Sequence, residues 1–127
     1  MILFWRKRAP VPLGKQGETI AARHLKRAGY RIIAQNAVFG RYEIDIIARE
    51  EDTIAFIEVK TRRTNAFLNP EVNVTRTKQQ HIRRAATMYC RQNPSTNTYY
   101  RFDVVTVVLP EDGKPAVSII RNAFQDE

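Results

Sequence analysis

The chain has one cysteine, Cys90, so no disulfide can form within it. A lone thiol suits a reducing compartment. No run approaches the roughly 20 apolar residues that a membrane-spanning helix needs. The apolar opening, Met1 to Trp5, is followed by Arg6, Lys7 and Arg8, the reverse of a secretory leader. Repeats and low-complexity tracts are missing as well. A cytoplasmic location with no membrane partner is therefore expected. Acidic residues are in short supply: 13 Asp and Glu against 21 Lys and Arg leave a net charge of +8. An excess of that size on one small chain favours a polyanionic partner, nucleic acid foremost.

What is present is ordinary globular sequence, 43% hydrophobic and 27% charged over 127 residues. That length fits one domain with a core of its own. Pro10 and Pro12 set off residues 1–12 as an N-terminal arm, leaving residues 13–127 as the domain. Apolar spacing predicts a helix over Lys15 to Ala28, stopped by Gly29, and a second helix over Thr75 to Arg91. Strands are predicted over Tyr30 to Asn36, Tyr42 to Ala48, Thr53 to Thr61, Arg101 to Leu109 and Ala116 to Arg121. Gly40 marks one turn and Arg49 to Asp52 another. Thr64 to Asn73 reads as a loop and Asn93 to Asn97 as a linker. The second and third strands are close enough to pair as a hairpin. The order of elements predicts a mixed sheet flanked by helices. The strands from Thr53 and from Phe102 are apolar on both faces and should be interior.

Several charges interrupt these apolar patterns. Side chains alternate along a strand, so Thr53 to Thr61 carries Ala55, Ile57 and Val59 on one face and Ile54, Phe56, Glu58 and Lys60 on the other. Its buried start gives way to Glu58 and Lys60. In the preceding strand, Ile44, Ile46 and Ala48 are expected to share one face, with Glu43, Asp45 and Ile47 on the other. Hairpin pairing would bring Asp45 across from the Glu58 region. Each signal alone is common, and a solvated cross-strand ion pair would explain it. Together they place two carboxylates and a lysine at one end of a sheet.

On the first helix, Glu18 shares a stripe with Ala21, Ala22, Leu25 and Ala28, where an unpaired charge is costly. The competing reading is a first-turn Glu complementing the helix dipole. On the second helix, the inward stripe of Ile82, Ala85, Ala86 and Tyr89 extends back to Lys78 and Gln79. These two would lie near the same site or fray as first-turn residues. Gln80, Arg83, Arg84 and Arg91 should form a basic solvent face.

The chain resembles a YraN-like family of small bacterial proteins and, more distantly, archaeal Holliday junction resolvases and other PD-(D/E)XK nucleases. The resemblance is carried by Gly14 to Ala22 (GKQGETIAA), Gly29 to Asn36 (GYRIIAQN), Glu43 to Ala48 (EIDIIA), Phe56 to Arg63 (FIEVKTRR), Lys78 to Ala86, Arg101 to Val105 (RFDVV) and Asn122 to Phe124 (NAF). It implies an α/β restriction-endonuclease-like core in α-β-β-β-α-β order, with a last strand added. Matched by motif, Asp45 corresponds to the first metal-binding aspartate, Glu58 and Lys60 to the (D/E)XK pair, and Glu18 to a helical acidic residue. Two departures stand out: Tyr42 replaces a Gly usual before EID, and Leu68-Asn69-Pro70 replaces a Gly-x-Pro usual in the following loop.

The implied activity is a metal-dependent endonuclease, with structure-selective cutting compatible with it. Asp45, Glu58, Glu18 and the Val59 carbonyl would bind Mg²⁺ or Mn²⁺. Lys60 would stabilise charge and help activate water, and Glu43 is a candidate helper. Arg62, Arg63, Lys78, Gln79, Arg83 and Arg84 would meet nucleic acid, mostly through backbone phosphates. DNA is expected over RNA, although no base-reading motif distinguishes them. One site cuts one strand, so symmetric cutting would require a homodimer. The alternatives are a non-catalytic nucleic-acid-binding module on the same fold, or a basic protein that docks on a protein partner. Cys90 reads as packing, and neither His24 nor His81 is expected to bind metal.

Overall fold

In the computed structural model, residues 10–64 and 74–125 are described. The expected arm lies outside them as far as residue 9. So does most of the expected loop, residues 65–73, with its Leu68-Asn69-Pro70. The elements are α1 (Leu13–Arg27), β1 (Arg31–Phe39), β2 (Tyr42–Glu50), β3 (Thr53–Arg63), α2 (Arg76–Gln92), β4 (Tyr99–Leu109) and β5 (Ala116–Phe124). The order is the expected α-β-β-β-α-β with a last strand.

The five strands form one sheet in sequence order. Pairing is antiparallel except between β3 and β4, which run parallel with α2 in the crossover. β3 and β4 are interior, as their two apolar faces require. The β2–β3 hairpin is tighter than expected. Arg49 pairs with Ile54 and Glu50 with Thr53. That leaves Glu51 and Asp52 as a two-residue turn, and Glu51 takes a positive φ of 55°.

Two apolar clusters form, one on each face of the sheet. α1 buries Ala21, Ala22 and Leu25 against Ala55, Ile57, Val105 and Val107. α2 buries Ile82, Ala85 and Ala86 against Phe56, Ile54, Phe102 and Val104. On the first of these faces α1 lies very close to β3. A methyl group at Gly17 would overlap the Thr61 side chain. Only glycine allows this approach, and it fixes the helix turn that carries Glu18. Gly17→Ala should therefore destabilise the fold, by up to about 2 kcal/mol. Overlap costs roughly 1–3 kcal/mol, and the higher helix propensity of alanine offsets about 1. A thermal melt reads this directly, and an unchanged or raised Tm would show that α1 shifts without penalty.

One expected pattern fails. Ile44 does not share a face with Ile46 and Ala48. It packs with Tyr42 and Ile47 in the α2-side cluster, while Ile46 and Ala48 lie in the α1-side cluster. Strict alternation is broken between Ile44 and Ile46, at Asp45. The neighbouring strand has an unusual backbone at the same level, although its register shift lies between Ile32 and Ala34. Gln35 pairs with Ile46 and Ala37 with Ile44, so Asn36 lies opposite Asp45. Asn36 has a φ of +50°. Such a backbone redirects side chains, and Asn accepts it better than most residues.

Candidate active site

Backbone pairing between β2 and β3 reaches Ile46 and Ile57, and the register continued by one step sets Asp45 beside Glu58. There the Val59 N–H donates to Asp45 Oδ2 at 2.8 Å. The carboxylate thus takes an amide hydrogen at the end of the strand pair, which anchors Asp45. The two carboxyl groups are close enough for the charge of Asp45 to oppose that of Glu58. Two carboxyl groups side by side in a poorly solvated place resist ionising together.

Burial is the main reason a proton stays. It pushes Glu58 up from 4.5 to about 7, with the Asp45 charge adding to the rise and Lys78 and Lys60 opposing it. Asp45 is raised too, first by burial and then by Glu18 and Glu43, while the Val59 N–H and Lys78 pull it down. The remaining contacts are loose. Lys78 Nζ lies 3.8 Å from Glu58 Oε2, beyond hydrogen-bonding range. Glu58 Oε2 is buried without a hydrogen-bond partner, and so are Asn36 Oδ1 and Thr61 Oγ1. Asn36 lies across from Asp45, and Thr61 is three residues beyond Glu58.

A raised carboxyl pKa has a definite sign in stability. The folded state holds the proton that the unfolded chain releases near 4.5. This contribution is complete below about pH 4.5 and is lost as pH rises through about 7. Glu58→Gln carries no such charge. Relative to wild type, it should gain of order 2–3 kcal/mol between pH 4 and pH 8 in metal-free buffer. Denaturant titrations at the two pH values measure this, and parallel profiles would contradict a strained carboxyl pair.

The helices converge on this end of the sheet. The Lys78 N–H donates to Thr75 Oγ1 at 3.2 Å, a side-chain cap that secures the first turn of α2. Fraying is thereby opposed, and the turn brings Lys78 to Glu58. Glu18, its side chain 16% exposed, pairs with Lys15 at 3.4 Å. It acts on Asp45 through its charge. Lys60 follows Glu58 by two residues on β3 and is half-buried.

The other nucleic-acid candidates are dispersed. Arg62 and Arg63 end β3, the first half-buried and the second exposed. Gln79 Nε2 donates to the Val74 carbonyl at 2.8 Å. Arg83 is half-buried, not part of an open solvent face. It donates to the Gln125 carbonyl at 2.6 Å and to Gln79 Oε1 at 3.2 Å, and lies over the Phe124 ring. The reason is that the end of β5 reaches α2. Arg84 donates to the Tyr42 hydroxyl at 2.8 Å, so the residue standing at the usual Gly position has a partner of its own.

Among the described residues, no three His, Cys, Asp or Glu side chains gather closely enough to hold a metal ion. The donor set still fits a hard divalent cation. Asp45 and Glu58 supply two carboxylates, Glu58 Oε2 is buried without a hydrogen-bond partner, and Val59, whose N–H meets Asp45, follows Glu58 in the chain. Mg²⁺ uses one or two carboxylates and keeps several waters, so a closed cage of side chains is not required.

A second polar cluster escaped the sequence reading. Asp103 is fully buried on β4, on the α1 face of the sheet. It accepts from Arg101 Nε at 2.8 Å, Arg101 Nη2 at 2.9 Å, the Tyr30 hydroxyl at 3.0 Å and the Asn122 N–H at 2.9 Å. Arg101 also reaches Glu50 at 2.9 Å, and Glu50 pairs with Arg121 at 2.7 Å. Arg121 and Arg101 hold Glu50 down at about 2. Burial and the Asp103 charge push the Tyr30 hydroxyl up. Every strong partner is internal, so this network holds the sheet together and offers no open position to a substrate.

Comparison with known proteins agrees with the family resemblance. A model described as "Uncharacterised protein family UPF0102" matches residues 17–107. A UPF0102 protein of Desulfosudis oleivorans is 44% identical over 111 residues, covering 87% of this chain and 88% of that protein. One of Chlorobaculum tepidum is 49% identical over 100 residues, covering 79% and 78%. Among solved structures, Hjc of Archaeoglobus fulgidus, a Holliday junction resolvase, is similar with a TM-score of 0.46 and 16% identity, over 83% of this chain and 75% of that one. With the family model spanning most of the described fold and bacterial relatives aligned over most of their own length, the chain belongs to the UPF0102 family.

Proposed function

We propose that the protein is a metal-dependent endonuclease that hydrolyses phosphodiester bonds in nucleic acid, with DNA as the preferred polymer. The observation that carries this reading is the half-buried Asp45–Glu58 pair set side by side at the end of the β2–β3 hairpin, with Lys78 at 3.8 Å from Glu58 and Lys60 two residues along the strand. Burying two acids side by side opposes folding at neutral pH. Such strain at an otherwise well-packed sheet end is a mark of function.

Hydrolysis adds a water oxygen to phosphorus, breaks one P–O ester bond and returns a proton to the leaving oxygen. A divalent ion held by Asp45, Glu58 and the Val59 carbonyl, with Mg²⁺ or Mn²⁺ the suitable choices, would supply Lewis acidity and neutralise charge. The remaining work falls to the protein's own groups. The Val59 N–H orients Asp45. Lys60 and Lys78 present ammonium groups to the anionic phosphoryl, where charge grows during reaction. Glu18 adds negative charge beside Asp45 and is placed to hold a water of the outer shell. Arg62 and Arg63, at the end of β3, meet flanking phosphates. The first turns of both helices adjoin the site, and their N-terminal dipole ends favour an anion there.

The test is cleavage of linear duplex, single-stranded, branched DNA and RNA by protein free of contaminating nuclease. Product should form with Mg²⁺ or Mn²⁺ and none with excess chelator. Equal cleavage in chelator would overturn the metal dependence. Salt-sensitive binding with no cleavage of any substrate would establish a non-catalytic binding module instead.

A further inference from the structure

We infer that the outer half of α1 forms a second tract for the nucleic-acid backbone, separate from Arg62, Arg63 and Lys78 and centred on Arg23 and Arg27. This rests on the proposed function only in taking the same polymer as ligand. Two hollows flank α1. One, of about 350 Å³, is lined by Arg23, His24, Arg27 and Lys114 together with apolar residues. The other, of about 310 Å³, is lined by Thr19, Arg23, Lys26 and Gln35 among others. Arg23 borders both, and no carboxylate lines either one. Arg23, Lys26, Arg27 and Lys114 are exposed, and none belongs to an ion pair among the described residues.

This arrangement contrasts with the cations around Asp103 and Glu50. Arg101 and Arg121 are neutralised by Asp103 and Glu50. Along α1, four uncompensated cations are brought together, and their mutual repulsion is relieved by a polyanion with release of counterions. The plainer explanation is that cations in the last turn complement the helix dipole. It covers His24, Lys26 and Arg27. It does not cover Arg23, a turn earlier, or Lys114, which comes from the β4–β5 connection.

Position on the helix links the tract to the site. Glu18, near the start of α1, acts on Asp45. Arg23 and Arg27 follow it by about 7 and 13 Å of helix rise. That separation corresponds to about two to four nucleotides of duplex rise. Arg23 and Arg27 also lie roughly 140° and 180° around the helix from Glu18, so nucleic acid engaged at Asp45 and Glu58 would reach them by passing over the outer face of α1. An anionic membrane is a poorer fit. A helix lying on lipid needs an apolar face at the surface, whereas α1 buries Ala21, Ala22 and Leu25 in the core.

The test is equilibrium binding of a fluorescently labelled DNA duplex in excess chelator, as a function of salt, so that no cleavage is involved. Arg23→Ala/Arg27→Ala should lower the slope of log affinity against log salt by about 1.8 and weaken binding roughly tenfold or more at 0.1 M salt. Arg49→Ala/Arg91→Ala removes the same charge away from α1 and should leave both near wild type. Equal losses in the two variants, or none in either, would overturn the inference. So would absence of duplex binding by wild type, or a loss confined to anionic vesicles. Cleavage by wild type is scored separately. A protein that never cuts but shows the slope difference keeps this tract and loses the proposed activity. The reverse result keeps the activity alone.

Discussion

Asp45→Asn is expected to reduce Mn²⁺-supported cleavage by about 10²–10³-fold or more while leaving the protein at least as stable as wild type. The combination is informative. Asparagine retains an oxygen to accept from the Val59 N–H, so the local anchor survives. It removes the Asp45 charge, which opposes that of Glu58 in a half-buried site. A purely structural carboxylate would behave the opposite way, losing stability with little effect on chemistry. Lys60→Ala should also abolish turnover, and the mechanism assigns its loss to kcat at saturating substrate. Cleavage assays paired with denaturant titrations at pH 8 decide the matter. Full activity in Asp45→Asn would remove this residue from the reaction.

The second large effect is structural. Asp103→Ala should destabilise the protein by about 3–5 kcal/mol, because it leaves the Arg101 guanidinium and the Tyr30 hydroxyl without their buried acceptor. Domains of this kind are held by only about 5–15 kcal/mol, so partial unfolding at 37 °C is the expected outcome. Asp103 lies level with Ile57 and on the α1 face of the sheet, whereas Glu58 continues the face of Phe56. The variant that remains folded at low temperature should therefore still bind Mn²⁺. Denaturant unfolding and Mn²⁺ titration at 10 °C test both halves. A loss under 1 kcal/mol would mean that Glu50 and water take over the role.

The same logic, applied unevenly, explains what the sequence disclosed and what it hid. Charges interrupting buried strands marked Asp45 and Glu58, and the hairpin that sets them side by side follows from two apolar runs separated by a short polar turn. Arg101 and Asp103 interrupt β4 in the same way, two residues apart and therefore on one face. Local pattern does not connect them to their network, because Tyr30, Glu50 and Asn122 come from three distant segments. The face reversal near Asp45 was less accessible. It coincides with Asn36 in a left-handed conformation on the neighbouring strand, and nothing in the residues around Asp45 specifies it. Helix faces were predictable from the 3.6-residue period, which placed Ala21, Leu25, Ile82 and Ala85 inward. Arg83 defeated that reading because the end of β5 lies against α2 and gives the arginine a carbonyl and a ring to pack on.

The proposed activity requires the half-buried Asp45–Glu58 pair to be a cation site. The most direct test is anomalous diffraction from crystals grown with Mn²⁺ at pH 7.5. A single strong peak bounded by Asp45, Glu58 and the Val59 carbonyl, absent from Glu58→Gln crystals, is the predicted result. A wild-type map with no peak between those groups, while Mn²⁺ is bound elsewhere or not at all, would contradict it.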